Sequence, residues 1–232
     1  MIEGVLMRYK HGNTLCLSTQ VGCRMGCRFC ASTLEGCARD LSAGEMLGQI
    51  LAAGTLAQVH NVVLMGSGEP LDNYDQTVRF LRLLHDPMGL CIGLRHVSLS
   101  TCGLTPQILR FAQEGLPVTL SVSLHAPSDA IRQTLMPIAN AYPMDELLEA
   151  CRQYIGRTGR RVIFEYALIR DVNSLPEHAR MLAQKLRGMQ CLVNVIPLNA
   201  VPERGLQGVD EAAVQAFLQT LSDCHISATR RR

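Results

Sequence analysis

The sequence predicts an α/β chain in which six parallel strands alternate with helices to form an open, partial (β/α)6 barrel. Short runs rich in β-branched residues alternate with stretches of helical periodicity along the whole chain, as repeated βα units require. Six such units fall short of the eight that close a barrel on itself. At 232 residues, 47% of them hydrophobic and 18% charged, the chain has the length and apolar content for one well-buried core. No linker rich in Gly, Ser or Pro, no repeat and no low-complexity tract divides it, so residues 1–232 read as a single domain.

The six strands are expected at 14–18, 61–65, 96–100, 119–124, 161–169 and 192–197, each a run rich in Val, Ile, Leu or Thr. Between them, helix starts are legible. Ser42 and Glu45 form a capping box ahead of Met46, Leu47, Ile50 and Leu51, and Ser174 with Glu177 repeats that pattern before Met181, Leu182 and Leu186. Asp145 heads a helix carrying Leu147, Leu148, Cys151 and Tyr154, and Asp210 heads one carrying Val214, Phe217, Leu218 and Leu221. In such barrels ligands sit at the C-terminal ends of the strands. The cysteine loop at 23–30, the segment 66–70, Ser100, the segment 123–125 and Asn199 all fall there.

The net charge of +2 does not by itself mark a nucleic-acid binder. Apolar runs such as 61–66 are too short to span a bilayer, and the opening Met-Ile-Glu-Gly is no signal peptide. Ten cysteines in a long chain of this kind point to a reducing, cytoplasmic location rather than to disulfides. Cys37, Cys91, Cys151, Cys191 and Cys224 are then expected as small buried or half-buried hydrophobes.

The stretch Cys-Arg-Met-Gly-Cys-Arg-Phe-Cys places Cys23, Cys27 and Cys30 in a C-x3-C-x2-C spacing. Three thiolates on one short loop hold three irons of a [4Fe–4S] cube and leave the fourth open to a small chelating molecule. The competing readings are a structural zinc knuckle or three unrelated thiols. Zinc sites close with four ligands, and His11 is the nearby candidate for a fourth. The second chemical segment, Met65-Gly66-Ser67-Gly68-Glu69-Pro70, follows the second strand. Its glycines let backbone approach a ligand, and its N–H and C=O groups suit an α-amino group, although a Gly-rich turn alone is commonly just a turn.

Together, the cysteine loop and this turn resemble the radical S-adenosylmethionine (SAM) superfamily. There SAM chelates the open iron and the Gly-Glu turn holds its methionine amine. Further segments fall in order: Ile2-Glu3, residues 15–23, Gly68-Glu69-Pro70, Leu99-Ser100-Thr101, Ser123-Leu124-His125-Ala126-Pro127 and Ile196-Pro197-Leu198-Asn199. They are similar to the radical SAM adenine-C2 methyltransferases of 23S rRNA and tRNA, the RlmN type, over nearly the whole chain. Glu69-Pro70 favours that branch over the related one that methylates adenine C8.

The resemblance implies Cys23, Cys27 and Cys30 as cluster ligands, and Gly68, Glu69, Ser100, Ser123, Leu124, His125 and Asn199 as the SAM pocket. It implies Glu3 as the proton acceptor and Cys16 as a second catalytic thiol. Carbon 2 of adenine is electron-poor and carries no acidic proton, so ordinary transfer from SAM fails. In the family one SAM methylates a cysteine near the C-terminus, and a second, cleaved by the reduced cluster, generates the radical that activates that methyl group. Glu3 would then remove the C2 proton, and Cys16 would free the product by attack on the sulfur of the protein–RNA link.

Each of these residues also has a plainer reading. His125 would be a hydrogen-bonded structural histidine, Asn199 a turn residue, Cys16 a core thiol and Glu3 a solvated end. The family's helical RNA-binding domain and its C-terminal Asp-Ile-x-x-Ala-Cys-Gly tail do not match within these 232 residues. Cys224 stands in or beside the last helix, where packing is its expected role. The triple arginine at 230–232 would touch phosphate or be solvated. This chain alone is therefore expected to bind the cluster and SAM and to cleave SAM without completing transfer. Other expected partners are an electron donor such as flavodoxin or ferredoxin; no membrane is implied, and a monomer is the default. The alternatives are a radical SAM enzyme acting on a small molecule or peptide, and a non-catalytic Fe–S or zinc protein that docks on RNA.

Overall fold

A computed structural model describes residues 2–10 and 12–231; His11 lies outside the described residues. The chain opens with β1 (Val5–Tyr9), which turns back antiparallel on β2 (Gly12–Cys16), pairing Tyr9 with Gly12. A small ribbon of β3 (Gln20–Gly22) and β4 (Cys37–Asp40) follows, with the cysteine loop between its strands. The chain continues through α1 (Ala43–Gly54), β5 (Asn61–Leu64), α2 (Tyr74–His85), β6 (Val97–Thr101), α3 (Thr105–Gln113) and β7 (Thr119–Ser123). Then come α4 (Asp129–Leu135), α5 (Met144–Thr158), β8 (Val162–Leu168), α6 (Pro176–Leu186), β9 (Cys191–Pro197), α7 (Glu211–Asp223) and β10 (Ala228–Arg230).

The six expected strands are β2, β5, β6, β7, β8 and β9, joined in that order as one parallel ladder. Two further strands extend it to eight: β1 borders β2, and β10 adds parallel to β9. These outer strands do not pair with each other among the described residues, so the sheet stays open. Helices fill the crossovers, which a parallel sheet needs because its strands must all run the same way. The strands are buried on both faces: Leu120, Ser121 and Val122 of β7 and Phe164 through Leu168 of β8 are all buried. No helix among the described residues is long and apolar enough to cross a membrane.

The capping box at Ser42 forms as expected: its side chain accepts from Glu45 N–H at 3.2 Å, and Glu45 accepts from Ser42 N–H at 2.9 Å. Asp210 caps α7 through Ala213 N–H at 2.9 Å. Ser174 does not cap α6. Pro176 takes the first helical position, where its missing N–H costs nothing, and His178 Nδ1 accepts from Leu175 N–H at 3.2 Å instead.

One other expectation is corrected. Cys91 and Cys224 are exposed rather than packed, Cys91 with φ +52° in an irregular segment and Cys224 just past α7. Of the terminal arginines, Arg230 is exposed and Arg231 half-buried, while Arg232 lies outside the described residues. As β10 joins the sheet, Arg230 meets Glu211 at 2.8 Å, and Arg231 N–H donates to Val195 at 2.9 Å.

Candidate active site

One cavity opens at the C-terminal ends of the strands, and it gathers most of the residues singled out in the sequence. Cys23, Cys27 and Cys30 line one wall; Gly68, Glu69 and Ser100 line it beside β5 and β6; Ser123 and His125 stand at the end of β7.

The cysteine loop is held by its own backbone. Cys23 N–H donates to Gly36 at 2.8 Å and Arg28 N–H to Leu135 at 2.9 Å. The Thr33 hydroxyl lies 3.0 Å from both the Cys27 and the Cys30 carbonyl, and Arg204 in turn donates to it at 2.7 Å. Gly22, at φ +79°, has no alternative: a Cβ there would collide with the Gly36 carbonyl. Burial pushes the Cys23 thiol up to about 11 and the Cys27 thiol up to about 12. Both are therefore protonated in the metal-free chain at neutral pH, and ligation must release those protons.

These residues fit a [4Fe–4S] cube. Such a group would take one thiolate on each of three irons, and Cys23, Cys27 and Cys30 line the same cavity. Among the described residues, no three His, Cys, Asp or Glu side chains converge closely enough for a single ion.

The turn after β5 is docked rather than free. Ser67 accepts from Thr19 and Gln20 N–H groups at 2.8 and 3.1 Å. A Cβ on Gly66 would stand 2.7 Å from Leu17 O, and one on Gly68 (φ +106°) 2.7 Å from Gln20 N. Both glycines are thus required first by the close approach of this turn to the segment after β2. Glu69 is buried, and burial raises its pKa. Its carboxylate accepts from Leu71 N–H at 3.0 Å and Cys102 N–H at 2.7 Å, while its own N–H donates to Gln20 at 2.8 Å. The side chain therefore ties the end of β5 to the end of β6.

His125 adopts φ +53°, a conformation costly for a non-glycine residue by about 1–3 kcal/mol. Three contacts impose it: its N–H donates to Glu165 O at 3.2 Å, its carbonyl accepts from Asn173 at 2.7 Å, and its Nδ1 accepts from Ala167 N–H at 2.9 Å. The last bond leaves Nε2 as the N–H of a neutral ring. Burial, with help from the Arg132 charge, lowers its pKa to about 3, and the ring packs edge-on against Phe29 at 4.5 Å. His125 is thus both a structural histidine and a cavity-lining one.

Other expected residues lie apart. Leu124 is fully buried and does not line the cavity with its side chain. Asn199 is exposed and borders a neighbouring depression with Ile196, Pro197 and Arg231. Glu3 is exposed, but its carbonyl accepts from the Ser18 hydroxyl at 2.7 Å, and that hydroxyl accepts from Ser67 N–H at 2.9 Å. Its backbone is thereby moored to the glycine turn. Cys16, at the end of β2, is half-buried; burial raises its thiol pKa, opposed by a Met65 backbone hydrogen bond and by Arg231.

Sequence reasoning missed three residues. Cys102 lines the cavity behind Glu69. Arg132 is fully buried and donates to the Cys102 carbonyl at 2.7 Å. Glu165 lines the cavity from β8 and is 4% exposed. Only Glu165 left a signal, as a lone acid inside the apolar run 162–168.

Residues 17–182 match the Radical SAM superfamily. Over its whole length the chain is 52% identical to a probable dual-specificity RNA methyltransferase RlmN of Clostridium perfringens, of which it covers 67%. It is 53% identical to the protein of that name in Alkaliphilus oremlandii, covering 68%. A crystal structure of a radical SAM methyltransferase from Sphaerobacter thermophilus superposes with a TM-score of 0.97 at 46% identity, over 99% of this chain and 69% of that one. Streptococcus suis SuiB bound to S-adenosylmethionine shares the fold alone, at 15% identity and a TM-score of 0.70, over 92% of this chain and 49% of that one.

Proposed function

Because the chain belongs to the radical SAM superfamily and, within it, to the RlmN-type RNA methyltransferases, we propose that it is the catalytic core for methylating C2 of an adenine in 23S rRNA and in tRNA, cleaving SAM by itself without completing transfer. One observation carries the reading: the three-cysteine loop, the Gly68-Glu69 turn and the polar ends of β6 and β7 line a single cavity. When bound, a [4Fe–4S] cluster and SAM supply the one-electron carbon chemistry that an electron-poor ring carbon demands.

The chain's own residues supply position. Cys23, Cys27 and Cys30 would hold the cluster, and the docked turn at 66–70 would present backbone to the methionine end of SAM. Glu69 would keep that turn rigid through its bonds to Leu71 and Cys102. Ser100 and Ser123 offer hydroxyls, and neutral His125 offers a fixed surface that does not charge in the physiological range. Glu3, moored through Ser18 to the turn, would remove the C2 proton as a general base. Cys16, on the neighbouring strand end, would provide the thiol that frees the methylated RNA. A low-potential donor such as flavodoxin or ferredoxin, a cytoplasmic location and a monomeric state complete the proposal.

The test is to delete the gene in the source organism and measure 2-methyladenosine in digests of 23S rRNA and tRNA by mass spectrometry. The modified nucleoside should disappear, return with the wild-type gene, and stay absent with the Cys23→Ala gene. Unchanged 2-methyladenosine in both RNAs after deletion rules the reading out.

A further inference from the structure

Arg132 is a cation in a place that offers it no anion. It stands on α4, fully buried, and makes no ion pair among the described residues. An arginine in a protein keeps its charge at any physiological pH. One short hydrogen bond, to the Cys102 carbonyl at 2.7 Å, holds the guanidinium, while the Ser123 and Tyr142 carbonyls stand off at 3.5 Å. Its Nε is buried without a partner. The neighbouring acids are committed elsewhere: Asp129 accepts from Met144 N–H at 2.7 Å, and Glu69 from the Leu71 and Cys102 N–H groups. Carbonyl dipoles alone leave a buried cation largely uncompensated, and folded proteins rarely keep one so.

The fold makes room for this charge behind the cysteine loop. A Cβ on Gly103 (φ +104°) would stand 3.0 Å from the guanidinium, so glycine leaves the space that Arg132 fills. One turn further along α4, Leu135 accepts from Arg28 N–H at 2.9 Å, and a Cβ on Gly26 would meet Pro137 at 3.3 Å. The helix that carries Arg132 is thereby docked onto the loop that carries Cys23, Cys27 and Cys30. Cys102, which the guanidinium grips, lines the same cavity as those three. Burial raises the Cys27 thiol pKa, and the Arg132 charge opposes that rise.

Ligation supplies the missing anion. Three thiols lose their protons to bind iron, and a [4Fe–4S]2+ core on three thiolates bears one net negative charge. Uptake of one electron from a low-potential donor makes that two, with no bond made or broken. A fixed cation behind the loop favours the more negative, reduced form. We propose that Arg132 is the counter-charge of the bound cluster and raises the potential at which the cluster accepts that electron. This inference rests on the cluster-binding reading above.

Potentiometric titration of the anaerobically reconstituted protein tests it. Dithionite and viologen mediators set the potential, and the electron paramagnetic resonance signal of the reduced cluster reports it. Arg132→Met should shift the reduction equilibrium about tenfold toward the oxidised form, a fall of about 59 mV for one electron. Arg132→Gln can still donate to the Cys102 carbonyl but carries no charge. It should fall as far, and it serves if the methionine variant does not fold. Arg132→Lys keeps the charge and should stay within about twofold of the wild-type equilibrium. A wild-type potential in either neutral variant overturns the inference, because Arg132 then only braces carbonyls. An equal fall in the lysine variant overturns it too, since the bridge rather than the charge would set the potential. If the neutral variants take up no iron, the lysine variant decides: iron at the wild-type level upholds the counter-charge, and its absence there leaves only the brace. In each of these outcomes the functional reading stands. A wild-type protein that loads no four-iron cluster would overturn both.

Discussion

On the β2–β5 side of the cavity, backbone positions the chemistry: a cysteine loop braced by backbone carbonyls and a glycine turn pressed onto the segment after β2. On the β7–β9 side, side chains standing on regular strands do it, with Ser123, Glu165 and Asn194 in one rung and His125 locked just beyond. Loops of the first kind hold a ligand where metal and backbone must come close. A rung of the second kind sets polar groups at strand spacing, about 4.8 Å apart, which suits an extended organic ligand. Each wall should therefore fail differently when altered.

The largest effect belongs to the loop wall. Cys23→Ala, Cys27→Ala or Cys30→Ala should each bring iron and sulfide after anaerobic reconstitution down to background and abolish SAM cleavage. Cys102 lines the same cavity and is as buried as the first two, yet it stands at the end of β6, outside the loop. Cys102→Ala should keep about four irons per chain. Loss of iron in that variant would mean that the walls do not divide the work as described.

Arg132 joins the two walls. Its guanidinium donates to the Cys102 carbonyl at 2.7 Å and lies 3.5 Å from the Ser123 carbonyl, while Nε has no partner among the described residues. Burial lowers its pKa, and the thiols of Cys102 and Cys27 and the Asp129 carboxylate oppose that shift. Arg132→Lys keeps a buried charge but loses the fork, so it should cost about 3 kcal/mol in denaturant unfolding. Arg132→Met leaves the carbonyls unpaired but relieves the charge of its desolvation, so it should cost less than the lysine variant. The opposite order would show that the positive charge beside Cys27 and Cys102, rather than the bridge, is what the fold needs.

The contrast between walls also explains what could be read from the sequence. The six central strands and the caps at Ser42 and Asp210 were legible because burial and capping act locally. The cysteine loop was legible from its spacing, and the glycine turn only through the family resemblance that the two complete together. The strands β1 and β10 were not, since an edge strand needs burial on one side only and carries a weaker apolar pattern. Arg132 and Cys102 left no trace either: their roles arise from contacts 30 residues apart in sequence. Asn199 matched a motif in order, yet it lies outside the cavity that gathers the others. Order along the chain locates a residue near a strand end but does not fix which way it faces.

The smallest effect tests the side-chain wall alone. His125 titrates at about 3 in the fold, against about 6.5 for a free imidazole. Between these values the unfolded chain binds a proton that the folded chain does not, so stability is complete above pH 6.5 and falls as pH drops. At pH 5 the loss from this one ring is about 2 kcal/mol. Asparagine tolerates the left-handed backbone at this position and does not titrate. His125→Asn should therefore be less stable than wild type at pH 7.5 yet lose about 2 kcal/mol less between pH 7.5 and 5. Burial raises the pKa of Glu69 and Glu165, which gives a slope of the opposite sign. Both proteins carry those carboxylates, so the difference between the two profiles isolates the imidazole. Urea unfolding of the metal-free proteins at the two pH values measures it, and parallel profiles would mean that the ring is not held neutral by this wall.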